Sequence, residues 1–107
     1  ALQLIKKNRG KEISVNDISL NDPGIYSIMC KGDTAGIFQF EGEGITDAIR
    51  QIKPTSFFDI TAINALYRPG PMAMIPDYAK RKNGEATTEY LFDELKDTLS
   101  ETYGIIV

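Results

Sequence analysis

The chain has 107 residues, of which 42% are hydrophobic and 25% are charged, and its formal net charge is −3. This composition is ordinary for one globular domain or part of one, and no apolar run approaches the roughly 18 to 20 residues of a membrane span. The chain has no histidine and a single cysteine, Cys30. These counts exclude a disulfide framework and a histidine-based catalytic triad, and they argue against a structural zinc site.

The charged residues are unevenly distributed along the chain. The acidic total argues against strong independent binding to DNA, because free-standing nucleic-acid modules are usually basic. Positive charge is nevertheless clustered near the start of the chain and again at Lys80, Arg81 and Lys82. The chain begins without methionine and ends on three apolar residues, 105–107. We therefore expect residues 1–107 to be a single helical segment cut from a longer protein.

Two helices are predicted before residue 33. The stretch 2–8 is typical of the end of a helix, and Gly10 suits the left-handed position that follows one. Asp22 and Pro23 are the cap and first-turn residues that begin a helix. That second helix is predicted to bury one apolar face and to end at Gly32. The predicted face consists of Ile25, Ile28 and Met29.

A glycine-rich stretch, "GDTAGIFQFEGEG", follows. Its glycines predict a short extended or turn-like segment in which they allow positive φ angles and close packing. A phosphate-binding P-loop is not expected, because no lysine follows in the required order. From residue 45 the apolar spacing is helical, with Ile45, Ala48, Ile49 and Ile52 in one stripe that Pro54 ends.

The next helix, "FFDITAINALY", is apolar nearly all round, which predicts burial on several sides and a central position in the fold. Ser56 is its expected N-cap, with Asp59 in the capping-box position. A short helix, "DYAKRKNG", is expected to close at Gly84, and a last helix near Gly104. The apolar stripe of that last helix is Leu91, Phe92, Leu95 and Leu99. The predicted class is all-α, an irregular bundle of five or six short helices around a buried central helix, with little or no sheet.

Arg68 is the residue that the local sequence singles out. It precedes Pro69, which disfavours helical geometry at Arg68 and ends the helix there. Pro69, Gly70 and Pro71 then fix the direction of the chain with little loss of entropy. A guanidinium on such a stiff backbone suits a carboxylate or phosphate partner. The alternative is that Arg68 caps the last carbonyls of its own helix.

Other candidate sites are weaker. The run 80–82 is either a solvated helix end that offsets the helix dipole or a phosphate contact. Asp33, Glu41, Glu43 and Asp47 are expected to be solvated acids, so no metal site and no catalytic residue are predicted in this chain. Cys30 is expected to be a buried thiol, compatible with a reducing compartment.

Four stretches occur in an order that is specific: "GDTAGIFQFEG", "ALYRPGP", "YAKRKNG" and "ETYGIIV". Together they resemble the alpha subunit of bacterial DNA polymerase III, the C-family of replicative polymerases. The resemblance covers nearly the whole chain, and Asn83 is a departure because family members often have histidine there. The motif residues that carry the resemblance are Gly36, Phe38, Gln39, Glu41, Tyr67, Pro69, Gly70 and Pro71.

The resemblance implies that this segment begins the fingers, which help to position the incoming nucleotide and the template. It implies a bacterial cytoplasmic enzyme that uses Mg²⁺, primer-template DNA and deoxynucleoside triphosphates, and that works with other replicase subunits and no membrane. The family's catalytic aspartates lie in the palm, and the palm motif that carries two of them is missing from this chain, so the segment alone is expected to be inactive. Arg68, Lys80, Arg81 and Lys82 are the candidate contacts to nucleotide or DNA phosphate. The alternative is a helical interaction or scaffold module without polymerase activity.

Overall fold

The computed structural model describes all 107 residues as six α-helices joined by turns, with no strand. This confirms the predicted all-α class. Short 3-10 turns precede or follow several of the helices. The α-helices are α1 (Leu2–Arg9), α2 (Pro23–Lys31), α3 (Glu43–Ile52), α4 (Phe57–Leu66), α5 (Ile75–Lys82) and α6 (Lys96–Leu99).

The helix ends follow the local sequence closely. The Asp22 side chain accepts a hydrogen bond of 2.8 Å from the backbone N–H of Gly24 at the start of α2. Ser56 and Asp59 form the predicted capping box at the start of α4. Gly10 and Gly32 lie in the left-handed region directly after α1 and α2. These predictions are confirmed. They could be made from the sequence because capping depends on residues that are close in sequence.

Helix α3, rather than α4, lies at the centre of the bundle. All four residues of its predicted stripe are buried, and α3 packs against α2, α4 and α5. The prediction that α4 is buried on several sides is wrong for its first turn, where Phe57 and Phe58 are exposed. A helix that is apolar all round gives no signal of which face its neighbours cover, so only the packing could decide this.

Two other predicted apolar faces are also corrected. In α2, Ile25 and Ile28 are exposed, whereas Tyr26 and Met29 are buried. The expected last helix is a 3-10 turn at 93–95, the single turn of α6 and another 3-10 turn at 100–102. Leu91 precedes these turns and is exposed, as is Phe92. Helical spacing was present in both stretches, but the packing of this chain leaves these side chains exposed.

The glycine-rich stretch is a series of turns, as predicted. Gly36 has φ 82° and Gln39 has φ 67°. Phe40 is buried in the core, whereas Phe38 is 82% exposed. Gly44 lies in the first turns of α3, where an added Cβ would come within 2.2 Å of the Tyr67 hydroxyl oxygen. Glycine at this position is therefore required for close packing of α3 against the end of α4.

The molecule is elongated. Its radius of gyration is 16.9 Å, whereas a compact domain of this length would have about 13 Å. Only 19 of the 107 residues are buried, and α1 contributes none of them. The core is thus confined to the region where α2 to α5 meet, together with Ile105 from the C-terminal segment.

Candidate nucleic-acid interface

The turn after α4 holds the backbone of Arg68 from both sides. Its N–H donates to the carbonyl oxygen of Leu66 at 2.8 Å, and its carbonyl accepts from the N–H of Met72 at 3.2 Å. Gly70 has φ 99°, and Pro71 begins the 3-10 turn 71–74. The helix thus ends before Pro69, and the chain then reverses direction. A residue other than glycine at position 70 would be strained at this positive φ angle.

The side chain of Arg68 is free within this chain. Arg68 is exposed, and no side-chain hydrogen bond or ion pair involves its guanidinium. It does not donate to the last carbonyls of α4, so the capping alternative has no support in the structure. A fixed backbone with an unengaged guanidinium is the arrangement that a bidentate anion contact needs.

The structure divides the basic run at the end of α5. Lys80 is exposed. The ammonium of Lys82 instead donates to the carbonyl of Lys53 at 2.9 Å and lies 3.5 Å from a carboxylate oxygen of Asp59. The side chains of this pair are only 8% and 5% exposed. Lys82 is therefore committed to an internal ion pair, and it is not available to a phosphate at the surface.

Asp59 both caps the start of α4 and forms the ion pair with Lys82. Besides the ion pair, one of its carboxylate oxygens accepts hydrogen bonds from the backbone N–H groups of Thr55 and Ser56, at 2.8 and 3.1 Å. The hydroxyls of both residues also donate to it. The sequence predicted the capping box but not the ion pair. The partner, Lys82, lies 23 residues later on another helix, and no local sequence pattern indicates this contact.

Arg81 ties α5 to the C-terminal segment. Its guanidinium donates to the carbonyl of Tyr103 at 2.9 Å and to that of Glu89 at 3.3 Å. Gly104 lies directly beside this contact, where an added Cβ would come within 2.2 Å of the Glu89 carbonyl oxygen. The structure therefore places Arg81 between two stretches of backbone, where its donors satisfy carbonyls of the chain itself.

Tyr78 and Tyr103 pack beside the ion pair, edge to face, with ring centroids 5.3 Å apart. Tyr78 is fully buried, and its hydroxyl has no hydrogen-bond partner within the protein. Burial, and then the negative charge of Asp59, raise the pKa of both tyrosines, and Tyr103 adds to the effect on Tyr78. We call Asp59, Tyr78, Lys82 and Tyr103 the inner cluster.

Two basic residues that sequence reasoning missed lie near Lys80. Arg50 and Lys53, on the last turn and the C-cap of α3, line a cavity of about 260 Å³ together with Lys80 and Asn83. Glu85 is the acid in this lining. The sequence does indicate that Arg50 is exposed, because it lies off the apolar stripe of α3. Only the packing of α3 on α5, however, brings Arg50, Lys53 and Lys80 together.

Comparison with known protein families identifies the family to which this chain belongs. The family described as the bacterial DNA polymerase III alpha subunit finger domain matches residues 1–107. The chain belongs to this finger-domain family. The earlier resemblance, which rested on ordered motifs, is thereby confirmed.

Relatives from several bacteria agree. The chain is 44% identical to DNA polymerase III subunit alpha of Halalkalibacterium halodurans over 103 residues, which are 96% of the chain and 9% of that protein. It is 44% identical over 107 residues to the protein of the same name in Aquifex aeolicus, covering 98% of the chain and 9% of that protein. The Bacillus subtilis protein is 43% identical over 104 residues, 97% of the chain and 9% of its own length. The chain thus spans about a tenth of the length of these relatives.

The motif residues of this finger domain lie in two places. Gly36, Gln39 and Glu41 belong to the turns before α3, where Glu41 is exposed. Tyr67 and the following turn belong to the end of α4. The Tyr67 hydroxyl lies against Gly44, just after the first motif, so the two motifs meet through α3.

The acids of the finger domain do not form a metal-binding group. No cluster of three or more aspartate, glutamate or cysteine side chains is arranged to hold a metal ion. Asp33, Glu41, Glu43 and Asp47 are exposed, and Asp47 pairs with Arg50 at 3.0 Å. The residues present therefore do not fit a Mg²⁺ site, and we assign no metal ligand to this chain.

Two remaining observations concern Cys30 and the lengths of the helices. Cys30 is only partly buried, and its thiol donates to the carbonyl of Pro54 at 3.5 Å. No helix has both the length and the apolar character needed to cross a membrane.

Proposed function

We propose that this finger segment helps to position the incoming nucleotide and the template in a bacterial DNA-directed DNA polymerase. Arg68 is the principal contact to phosphate and Lys80 is a second one. The observation that carries the proposal is the exposed, unpartnered guanidinium of Arg68 on a backbone held by two hydrogen bonds. Membership in the finger-domain family supports it and disfavours the scaffold alternative.

Transfer of a nucleotide concentrates negative charge on the triphosphate, and fixed cations stabilise that charge without having to reorganise. A planar guanidinium can hold two phosphate oxygens at once, whereas a lysine acts as a mobile point charge. We therefore give Arg68 the orienting role and Lys80 the weaker, electrostatic one. Lys82 is left out because Asp59 and the carbonyl of Lys53 already occupy it.

The proposal extends to the complete polymerase. That enzyme would act in the bacterial cytoplasm on primer-template DNA and deoxynucleoside triphosphates, in contact with other replicase subunits. The Mg²⁺ expected of the complete enzyme would be held by residues outside this segment and would supply Lewis-acid chemistry there. No residue of this segment is given a catalytic role, and the segment by itself is expected to be inactive.

The test is Arg68→Ala in a complete polymerase III alpha subunit that contains this sequence. Loss of a charged hydrogen-bond donor costs about 1.5 to 3 kcal/mol, so kcat/KM for single-nucleotide incorporation should fall about tenfold or more. Arg9→Ala is the matched control, since Arg9 is also exposed and its side chain also has no partner in this chain. Thermal unfolding should be unchanged in both variants. Normal incorporation by a folded Arg68→Ala enzyme would rule out this role.

A further inference from the structure

Two adjoining cavities lie along one side of the α3–α5 pair, and we call them together the α3–α5 groove. Their volumes are about 220 and about 260 Å³. Gln51 of α3 and Pro76 of α5 line both of them, so the two cavities meet at these side chains. Each is smaller than a typical small-ligand site of about 300 Å³ or more, so a ligand that fills both would have to reach across Gln51 and Pro76.

The first half of the groove is largely apolar and contains an aromatic ring. Tyr67, Met72 and Ile75 line it, with Ala48 on the α3 side. Tyr67 is half-buried, and its hydroxyl is held against Gly44. Met72 is exposed. This half therefore offers a partly rigid apolar surface that is open to solvent.

The second half of the groove is cationic. Arg50, Lys53 and Lys80 line it, against the single acid Glu85. The Arg50 guanidinium lies over Gly32, where an added Cβ would come within 2.4 Å of it, and it pairs with Asp47 at 3.0 Å. That ion pair is exposed on both sides, so it holds the guanidinium only weakly.

These cations are not needed to offset the helix dipoles at this point. Helices α3 and α5 both end here, and free carbonyls at two helix ends would account for nearby positive charge. Lys82, however, donates to the carbonyl of Lys53, and the Asn83 side chain donates to that of Gln51 at 3.1 Å. These donors serve carbonyls at the end of α3, and backbone N–H groups of residues 83–86 serve the carbonyls of residues 79–81 at the end of α5. Lys53 and Lys80 therefore remain available to a ligand, together with the weakly held Arg50.

An apolar, partly aromatic half beside a cationic half matches the chemistry of a nucleotide unit, which has a flat base at one end and a phosphate at the other. Single strands are bound in this way, through stacking of bases and tracking of the backbone by positive charge. An acidic peptide would use the cations but would leave the apolar half without a ring-shaped partner.

We infer that the α3–α5 groove binds single-stranded DNA, with a base over Tyr67 and Met72 and its phosphate beside Arg50, Lys53 and Lys80. The choice of DNA as the polymer rests on the proposed function. The groove itself deepens that proposal, because it adds a template contact that is separate from Arg68.

The main experiment uses the complete alpha subunit and a fluorescent oligothymidylate, without nucleotides or metal. Binding is measured by anisotropy over a range of salt concentrations for Lys53→Gln/Lys80→Gln. Each single-strand phosphate contact contributes about 0.7 to the slope of log affinity against log salt, so the slope should become shallower by about 1.4. The control, Lys31→Gln/Lys96→Gln, removes two exposed lysines outside the groove lining.

A second arm tests the base contact. The wild-type subunit should bind oligothymidylate about tenfold more tightly than an abasic oligomer of equal charge, since stacking on an aromatic ring adds affinity. Tyr67→Leu should lose this preference, whereas Tyr67→Phe should keep it. Circular dichroism of each variant confirms that it is folded.

Three outcomes would overturn the inference: an unchanged salt slope in the groove variant, the same change in the control, or equally groove-dependent binding of polyglutamate. The proposed function fails separately, through normal nucleotide incorporation by Arg68→Ala. The two can be told apart because the groove variants leave Arg68 unchanged and the binding assay measures no incorporation.

Discussion

Lys80 and Lys82 lie two residues apart at the end of α5, and their environments are opposite. Lys80 faces solvent at the groove, with Arg50 and Lys53 nearby. Lys82 is buried beside Asp59 in the inner cluster. Residues two apart on a helix point to different sides, whereas those three or four apart share one. The run of three basic residues therefore consists of an exposed Lys80 and of Arg81 and Lys82, whose side chains the chain itself engages.

This contrast separates the effects expected of mutations. On the inner side of α5, the buried charges of Asp59 and Lys82 have partners within the chain, so removing one of them costs stability, whereas the Tyr78 hydroxyl has no partner to lose. On the groove side, the side chains are solvated before any ligand arrives, so removing one changes binding and leaves folding unaffected. The following predictions test that separation, beginning with the largest effect.

Asp59→Ala should be the most damaging change in the inner cluster. It leaves the ammonium of Lys82 buried without its counter-charge and removes the acceptor for two backbone N–H groups. Losing one member of a buried pair costs about 3 to 5 kcal/mol, which urea denaturation of the chain would measure. Asp47→Ala breaks the exposed pair with Arg50 and should cost less than about 1 kcal/mol. Equal costs would contradict the distinction between the two sides.

Lys82→Ala and Lys80→Ala form the most direct comparison. The first should lower the free energy of unfolding by about 2 kcal/mol, because Asp59 loses its counter-charge but keeps four hydrogen-bond donors. The second should change it by less than about 0.5 kcal/mol. The same denaturation experiment applies to both. If Lys80→Ala proved the more destabilising, the assignment of the two sides would be wrong.

Tyr78→Phe should have the smallest effect of the three changes in the inner cluster, and it should be favourable. The change removes a buried hydroxyl that has no partner within the protein, which should raise the free energy of unfolding by about 1 kcal/mol at neutral pH. The matched change is Tyr103→Phe, in the neighbouring and less buried ring. A loss of stability in Tyr78→Phe would show that the hydroxyl contributes an interaction absent from the structure.

The same variant should also alter the pH dependence of stability. Because the pKa of Tyr78 is raised in the folded protein, the unfolded chain releases this proton first, above about pH 10. The contribution of Tyr78 is therefore complete below that pH and is lost as the pH rises further. Stability of the wild type should fall more steeply than that of Tyr78→Phe, by up to about 1.4 kcal/mol per pH unit. Parallel curves would contradict the raised pKa.

Features with short-range causes were predicted well. The starts of α2 and α4, the left-handed glycines after α1 and α2, and the turn at Arg68 each depend on neighbours within a few residues. The stripe of α3 was also predicted correctly, because its apolar and polar sides are clearly separated. The family was recognised for a related reason, since its motifs are short and keep a fixed order.

Features that depend on partners distant in sequence were predicted poorly. Because α4 is apolar all round, its sequence does not indicate which face is buried. The exposure of its first turn was therefore not predicted. The spacing of Ile25 and Ile28 indicated a buried face, but the rest of the chain covers only about half of each side chain. The approach of Arg50 and Lys53 to Lys80 requires α3 to pack on α5, and nothing in any of the three local sequences predicts it.

The sequence by itself determined the end of α1, both ends of α2, the start of α4, the turn that carries Arg68 and the family to which the chain belongs, because caps, prolines and ordered motifs act locally. Only the tertiary structure decided which charges are free. Lys82 and Arg81 satisfy groups elsewhere in the chain, whereas Arg68 and Lys80 do not. Positive charge is the same in all four residues, and it is the packing of α5 against α3, α4 and the C-terminal segment that engages Lys82 and Arg81 and leaves Lys80 exposed.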